Sequence, residues 1–258
     1  MGGRGATSSS GRLGMGSGAT LPPQSDSNTQ VDNTQVASGF SADYDKFMAM
    51  TDDEKADFID ANIKSAVPAH LAQNDFQRFV YNSGLNEKPN VVDDATLDTM
   101  TGTEIFRTVN SVYDSKNDIS YNADQIAKQV MAGRVTRVSD NGGSVYGRGI
   151  YFADGYSSST GYGSSSGNVK KTAVMRGKLN NNAKVVNYYT ARQGVSQEIS
   201  SGSKLGKALR KADRDSQVSL YAMAKGYNVI SSGHGYLNVL NRNAITMSSD
   251  IKAKGSKW

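Results

Sequence analysis

Cysteine is absent from the 258 residues, so the chain forms no disulfide and no thiolate metal site. That absence suits a reducing compartment. Histidine occurs only at His70 and His234, far apart in the chain. A histidine-built metal cluster and a Ser-His-Asp triad are both disfavoured, and no metal site is expected. No apolar run approaches the ~20 residues needed to span a bilayer, so no membrane partner is expected. The opening MGGRGATSSSGRLGMGSG has no apolar core and does not read as a secretory signal. Ala6 stands where a myristoylation signal carries Ser or Thr. Excess charge is small: a net +5 suits an anionic ligand without marking a dedicated nucleic-acid binder. Hydrophobic residues make up 37%, low for a fully packed chain, so part of the chain is expected outside the core.

Composition divides the chain into three regions. Residues 1–40 are rich in Gly, Ser, Thr, Gln and Asn and almost without large apolar side chains. Such a segment cannot offset its ordering entropy and reads as a disordered arm. Its echo of Asn28-Thr29-Gln30-Val31 in Asn33-Thr34-Gln35-Val36 is too short for a solenoid. Residues 41–100 read as a helical region. Thr51 and Glu54 make a capping-box pattern, Phe58, Ile59, Ile63 and Ala66 follow at helical spacing, and Pro68 stops the run. A second helix opens near Asn74, with Phe76, Phe79 and Val80 on one face and Gly84 at its C-terminal cap.

Residues 101–258 mix strands and helices. Strands are expected over 104–109, 149–153, 171–179 and 183–187, with a helix capped by Asn122 and Gln125 that ends at Gly133. Residues 190–204 are polar and read as loop. A helix opens at Asp215 or Ser216 and ends at Gly226. Residues 227–230 and 236–240 read as a hairpin across Ser-Gly-His-Gly, and 244–247 extends its second strand or follows a bulge. The class is α+β with an antiparallel-rich sheet.

The densest chemistry lies at Tyr146-Gly-Arg-Gly-Ile-Tyr-Phe-Ala-Asp154 and the loop after it. Gly147 and Gly149 allow a backbone to approach a ligand closely. A strand follows them rather than a helix, which excludes a Rossmann phosphate loop. The next loop carries Tyr156, Ser157, Ser158, Ser159 and Tyr162. Tyrosine rings present large faces that tend to bury against something, and a flat cationic heterocycle suits them.

Gly147-Arg-Gly-Ile-Tyr-Phe-Ala-Asp154 resembles the Gly-Lys-Gly-Ile-Tyr-Phe-Ala-Asp segment of the poly(ADP-ribose) polymerase catalytic domain. The resemblance includes Ser159 and Tyr162, at the family's spacing from Tyr151. It covers roughly residues 103–247. It implies the ADP-ribosyltransferase superfamily, with a split β-sandwich around an NAD cleft over 101–258. Tyr151 and Tyr162 would then sandwich nicotinamide, with Ser159 and the backbone near Thr108 on its carboxamide and Gly149 also at the cofactor. Arg107, in Glu-Ile-Phe-Arg-Thr-Val, is similar to the arginine version of the first motif and would hold ribose or phosphate. The family's third motif is a glutamate at the start of a late strand. The matching strand, Tyr236-Leu-Asn-Val-Leu, has none, and the family position falls near Tyr236. Glu198, in Ser196-Gln-Glu-Ile, is similar to the Gln-X-Glu turn of toxin members and is the candidate carboxylate, beside Arg107 and Tyr151 as catalytic residues. The Met-Gly-Gly-Arg-Gly start resembles small proteins encoded beside head genes of tailed phages, which implies host cytoplasm or virion as the location.

The function expected from this resemblance is NAD-dependent mono-ADP-ribosylation of a protein acceptor, with NAD as substrate. The alternative is an inactive module of the same fold, serving as a phage structural or host-interaction protein. The basic cluster Lys204, Lys207, Arg210, Lys211 and Arg214 leaves nucleic-acid binding as a lesser reading, because it lacks interleaved aromatics.

Overall fold

The computed structural model describes residues 42–258 apart from 69–71, 73, 86, 115–117, 135–144 and 164–166. The chain divides into Met1–Ala37 and Ser38–Trp258, and all that follows concerns the second unit. The expected arm of 1–40, its short echo and His70 lie outside the described residues.

Helices come first. α1 (Ala42–Ala49) is followed by α2 (Asp52–Lys64), which starts on the expected capping box. The Glu54 N–H donates to Thr51 Oγ1 at 3.3 Å, and the Thr51 N–H donates to the Glu54 carboxylate at 2.7 Å. α3 (Asp75–Asn82) is capped by Asn74, whose Oδ1 accepts the Gln77 N–H at 2.9 Å. Beyond it, Gly84 takes a left-handed φ of +72°. Phe76, Phe79 and Val80 are buried on one face, as the spacing predicts.

Next come β1 (Asn90–Val92), α4 (Asp94–Thr99), β2 (Glu104–Asn110), the hairpin of β3 (Val112–Asp114) and β4 (Ile119–Tyr121), and α5 (Ala123–Met131). β5 (Ile150–Ala153) leads through Asp154 and Gly155 into α6 (Tyr156–Thr160), then β6 (Thr172–Leu179) and β7 (Val185–Asn187). Three consecutive helices follow, α7 (Tyr188–Ser201), α8 (Lys204–Lys211) and α9 (Arg214–Ala224). The chain closes with β8 (Val229–Ser231), β9 (Tyr236–Val239) and β10 (Ile245–Ala253).

Three local expectations need correction. Most of 190–204 is helix α7 rather than loop. Its surface is polar, but Ala191, Gly194 and Val195 form a narrow stripe that packs inward. At Gly194 a side chain would meet the Tyr221 hydroxyl at 2.1 Å, so the absence of one lets α7 approach α9 closely. The serine-rich loop after β5 coils into the short α6. The strand of 244–247 does not extend β9; it belongs to β10, which pairs with β6 and β1.

Among the described residues one eight-stranded sheet has the order β1-β10-β6-β2-β5-β9-β8-β7. It is mostly antiparallel; β1 with β10 and β7 with β8 are the parallel pairs. The class is therefore mixed α+β. β2 and β6 pair along seven residues, but β2 meets β5 only at Phe106 and Ala153. The sheet thus opens between β2 and β5.

Two apolar clusters hold the unit together. One joins α1–α3 to α7–α9, with Phe47, Phe58 and Phe79 in mutual ring contact. The other lies between α5 and the sheet, around Ile105, Ile126, Phe152, Met175 and Met247. Burying a side chain such as Phe79 contributes roughly 2–3 kcal/mol, so the helical cluster stabilises the fold and is not an appendage to it. Among the described residues no helix is long and apolar enough to cross a membrane.

Candidate functional site

A cleft of about 570 Å³ opens where β2 and β5 diverge. β2 contributes Phe106 through Asn110, and β5 contributes Tyr151 through Ala153. Ser159, Tyr162, Tyr146 and Tyr236 complete the polar wall. Of the residues singled out from the sequence, Arg107, Thr108, Tyr151, Ser159 and Tyr162 all line this one cavity. Its size falls in the ordinary range for small-molecule sites.

Alternation along β2 explains how two neighbouring residues serve the cleft differently. Arg107 shares a face with the buried Ile105 and Val109 and is itself only 5% exposed. Its Nη1 donates to the Tyr151 carbonyl at 2.9 Å. At a point where the β2–β5 ladder is missing, a side chain thus supplies a hydrogen bond to the strand. Thr108 lies on the opposite face, where its hydroxyl and that of Ser159 are 2.9 Å apart. Ser159 is buried because α6 packs on β2. These two hydroxyls form a small polar platform able to give and to take hydrogen bonds.

Tyr151 points back along its own chain. Its hydroxyl donates to the Gly147 carbonyl at 2.7 Å and accepts the Tyr146 N–H at 2.8 Å. Burial pushes its phenol well above the ordinary tyrosine value, so the ring is neutral at physiological pH. Tyr162 is 68% exposed, and its ring stands edge-on to Tyr236 with centroids 5.8 Å apart. A hydrogen bond to Tyr236 raises the Tyr162 phenol, with partial burial adding to it.

The Gly-Arg-Gly turn is clamped from outside the cleft. Asn238, paired with Tyr151 across β9, donates through Nδ2 to the carbonyls of Tyr146 at 3.0 Å and Arg148 at 3.3 Å. The Ser219 hydroxyl on α9 accepts the Arg148 N–H at 2.8 Å and donates to the Arg148 carbonyl at 2.6 Å. The Arg148 guanidinium lies 3.2 Å from Asp215 and 3.8 Å from Asp213. Gly149 does not line the cavity. It is pressed against Asn238 and Val239, where it allows β5 to start beside β9.

Glu198 is not brought to the cleft. It sits on α7, where its carboxylate accepts from the Ser203 hydroxyl at 2.6 Å and pairs with Lys225 at 3.0 Å. The Ser203 bond holds its carboxyl below the usual range, with Lys225 adding to that against a partial burial that pushes upward. This arrangement ties α7 to the start of α8 and to α9. His234 lies in the β8–β9 turn and does not line the cavity either.

The basic cluster is largely engaged within the protein. Lys204 reaches Asp57 at 2.6 Å, Lys211 reaches Asp60 at 2.8 Å, and Arg210 donates to the Ile199 carbonyl at 3.0 Å. Tyr146, Asn110 and Tyr236 line the cleft without having been singled out as site residues. Tyr146 directly precedes the glycine turn, and Tyr236 is the first residue of β9. Those two positions were the available signals. No family model matches the chain, and no curated protein and no solved structure matches it.

Proposed function

We propose that the cleft binds the nicotinamide end of NAD and that the protein is an NAD-dependent mono-ADP-ribosyltransferase of the split β-sandwich type. One observation carries this reading. Tyr151, Ser159 and Tyr162, chosen by motif spacing, line a single cavity with Thr108 and Arg107 at the opening of the sheet. A flat cationic ring suits two tyrosine faces, and its carboxamide suits the Thr108–Ser159 hydroxyl pair. Arg107 would supply positive charge toward the phosphate or ribose side. The acceptor would be a protein nucleophile.

A second reading has its own support. Among the described lining residues there is no carboxylate. A module that binds the dinucleotide without turning it over, acting as a phage structural or host-interaction protein, fits that composition. Label transfer from NAD to host-lysate proteins separates the two, with calorimetric NAD binding measured alongside. The transferase reading expects label with the wild type and none with Tyr151→Ala. Loss of one stacking face should weaken NAD binding about 10- to 100-fold. Binding without transfer would move the assignment to the module, and no binding would remove both.

A further inference from the structure

The chemistry of the proposed reaction makes a demand that the cleft meets in an unusual way. When the bond between nicotinamide N1 and ribose C1′ breaks, the bonding pair leaves with neutral nicotinamide. The ribose is left with oxocarbenium-like positive charge. A group with electron density must face that charge. Arg107 has the wrong sign, and among the described lining residues no other is charged. Glu198 is held elsewhere by Ser203 and Lys225.

Tyr236 is the lining residue that β9 contributes. It opens β9 and pairs with Ala153, directly beside the cleft strand. Alternation puts Asn238 on the same face, but Asn238 is buried and turned to the Tyr146 and Arg148 carbonyls. Tyr236 is therefore the polar side chain through which β9 reaches the cavity. Its ring is held edge-on by Tyr162.

We propose that Tyr236 is a catalytic residue: its phenol oxygen accepts a hydrogen bond from a ribose hydroxyl and stabilises the charge that a carboxylate would otherwise face. This rests on the NAD reading above. Water or the acceptor nucleophile then bonds to C1′ and loses its proton to solvent. A neutral phenol stabilises positive charge less than a carboxylate does, so the wild type should be a slow enzyme that a carboxylate at this position accelerates.

The test is nicotinamide release from NAD by the full chain as wild type, Tyr236→Phe and Tyr236→Glu. Calorimetric NAD binding and far-ultraviolet circular dichroism are recorded for each. Tyr236→Phe should keep the fold and bind NAD within about threefold of wild type while releasing nicotinamide about 100-fold more slowly. Tyr236→Glu should release it faster than wild type. A folded Tyr236→Phe that releases nicotinamide at the wild-type rate overturns the proposal. So does a wild type that binds NAD and releases none, which leaves the binding reading standing. A wild type that does not bind NAD removes that reading and the role of Tyr236 with it.

Discussion

Gly149 shows how little room a single residue has at this site. A Cβ there would lie 2.1 Å from Asn238 Oδ1 and 2.8 Å from the Val239 carbonyl, and φ is +156°. Steric overlap and backbone strain therefore act together. Gly149→Ala should destabilise the protein by about 2–4 kcal/mol, lowering the melting temperature by about 5–12 °C in thermal circular dichroism. An unchanged melting temperature would mean that the clamp on the turn yields freely. Tyr151 is the counterpart inside the cleft. Its hydroxyl ties to the same turn, so the ring that would stack on a ligand is oriented by the Gly147 carbonyl four residues before it. The glycines and the ring were visible in the sequence. The clamp was not, because Asn238 and Ser219 arrive from β9 and α9.

At the scale of elements, α9 is joined to α3 by paired acids. The Asp75 N–H donates to Asp213 Oδ2 at 3.0 Å, and the Asp213 N–H donates to Asp75 Oδ2 at 2.6 Å. Asp213 also caps α9, accepting the Ser216 N–H at 3.0 Å and the Ser216 hydroxyl at 2.7 Å. Burial pushes the Asp213 carboxyl up, but the bonds from Asp75 and Ser216 outweigh it and the net direction is down. A carboxyl lowered in the folded state contributes stability above its unfolded pKa, about 3.9, and that contribution fades as pH falls through the folded value. Asp213→Ala should cost about 1–2 kcal/mol in urea melts at pH 7. The gap to wild type should narrow as pH drops below about 4. A gap that stays constant down to pH 2 would show that the charge on Asp213 does not matter. Elements differ in how legible they are. α2 and α3 carry their start signals in Thr51, Glu54 and Asn74. α7 has an unremarkable polar surface and forms because a thin stripe finds α8 and α9.

For the whole molecule, the opening in the sheet is what shapes the candidate site. β10-β6-β2 on one side and β5-β9-β8 on the other meet at a single residue pair, and the cleft occupies the gap. A ligand seated there touches both halves, so its binding energy adds directly to the stability of the fold. NAD at 100 times its dissociation constant should add about 2.7 kcal/mol. That should raise the melting temperature by about 5–10 °C. Tyr151→Ala should lose most of this shift at the same NAD concentration. Equal shifts in wild type and Tyr151→Ala would place the nucleotide somewhere other than this cleft.

Short-range patterns sufficed for much of this protein: the capped starts of α2, α3 and α5 and the β8–β9 hairpin. Each of these rests on interactions among residues near one another in the chain, such as a cap bond or a glycine with positive φ. Long-range pairing decided the rest. β10 leaves β9 for the far side of the sheet because β6, some seventy residues earlier, offers it an edge. Glu198 stays with Ser203 and Lys225 because α7 packs against α8 and α9 rather than facing the cleft. Tyr236 enters the cleft wall only because β9 pairs with β5 in the register that sets it beside Ala153. No local residue pattern encodes which distant strand or helix becomes a neighbour, since that choice is made by the burial of shared apolar faces.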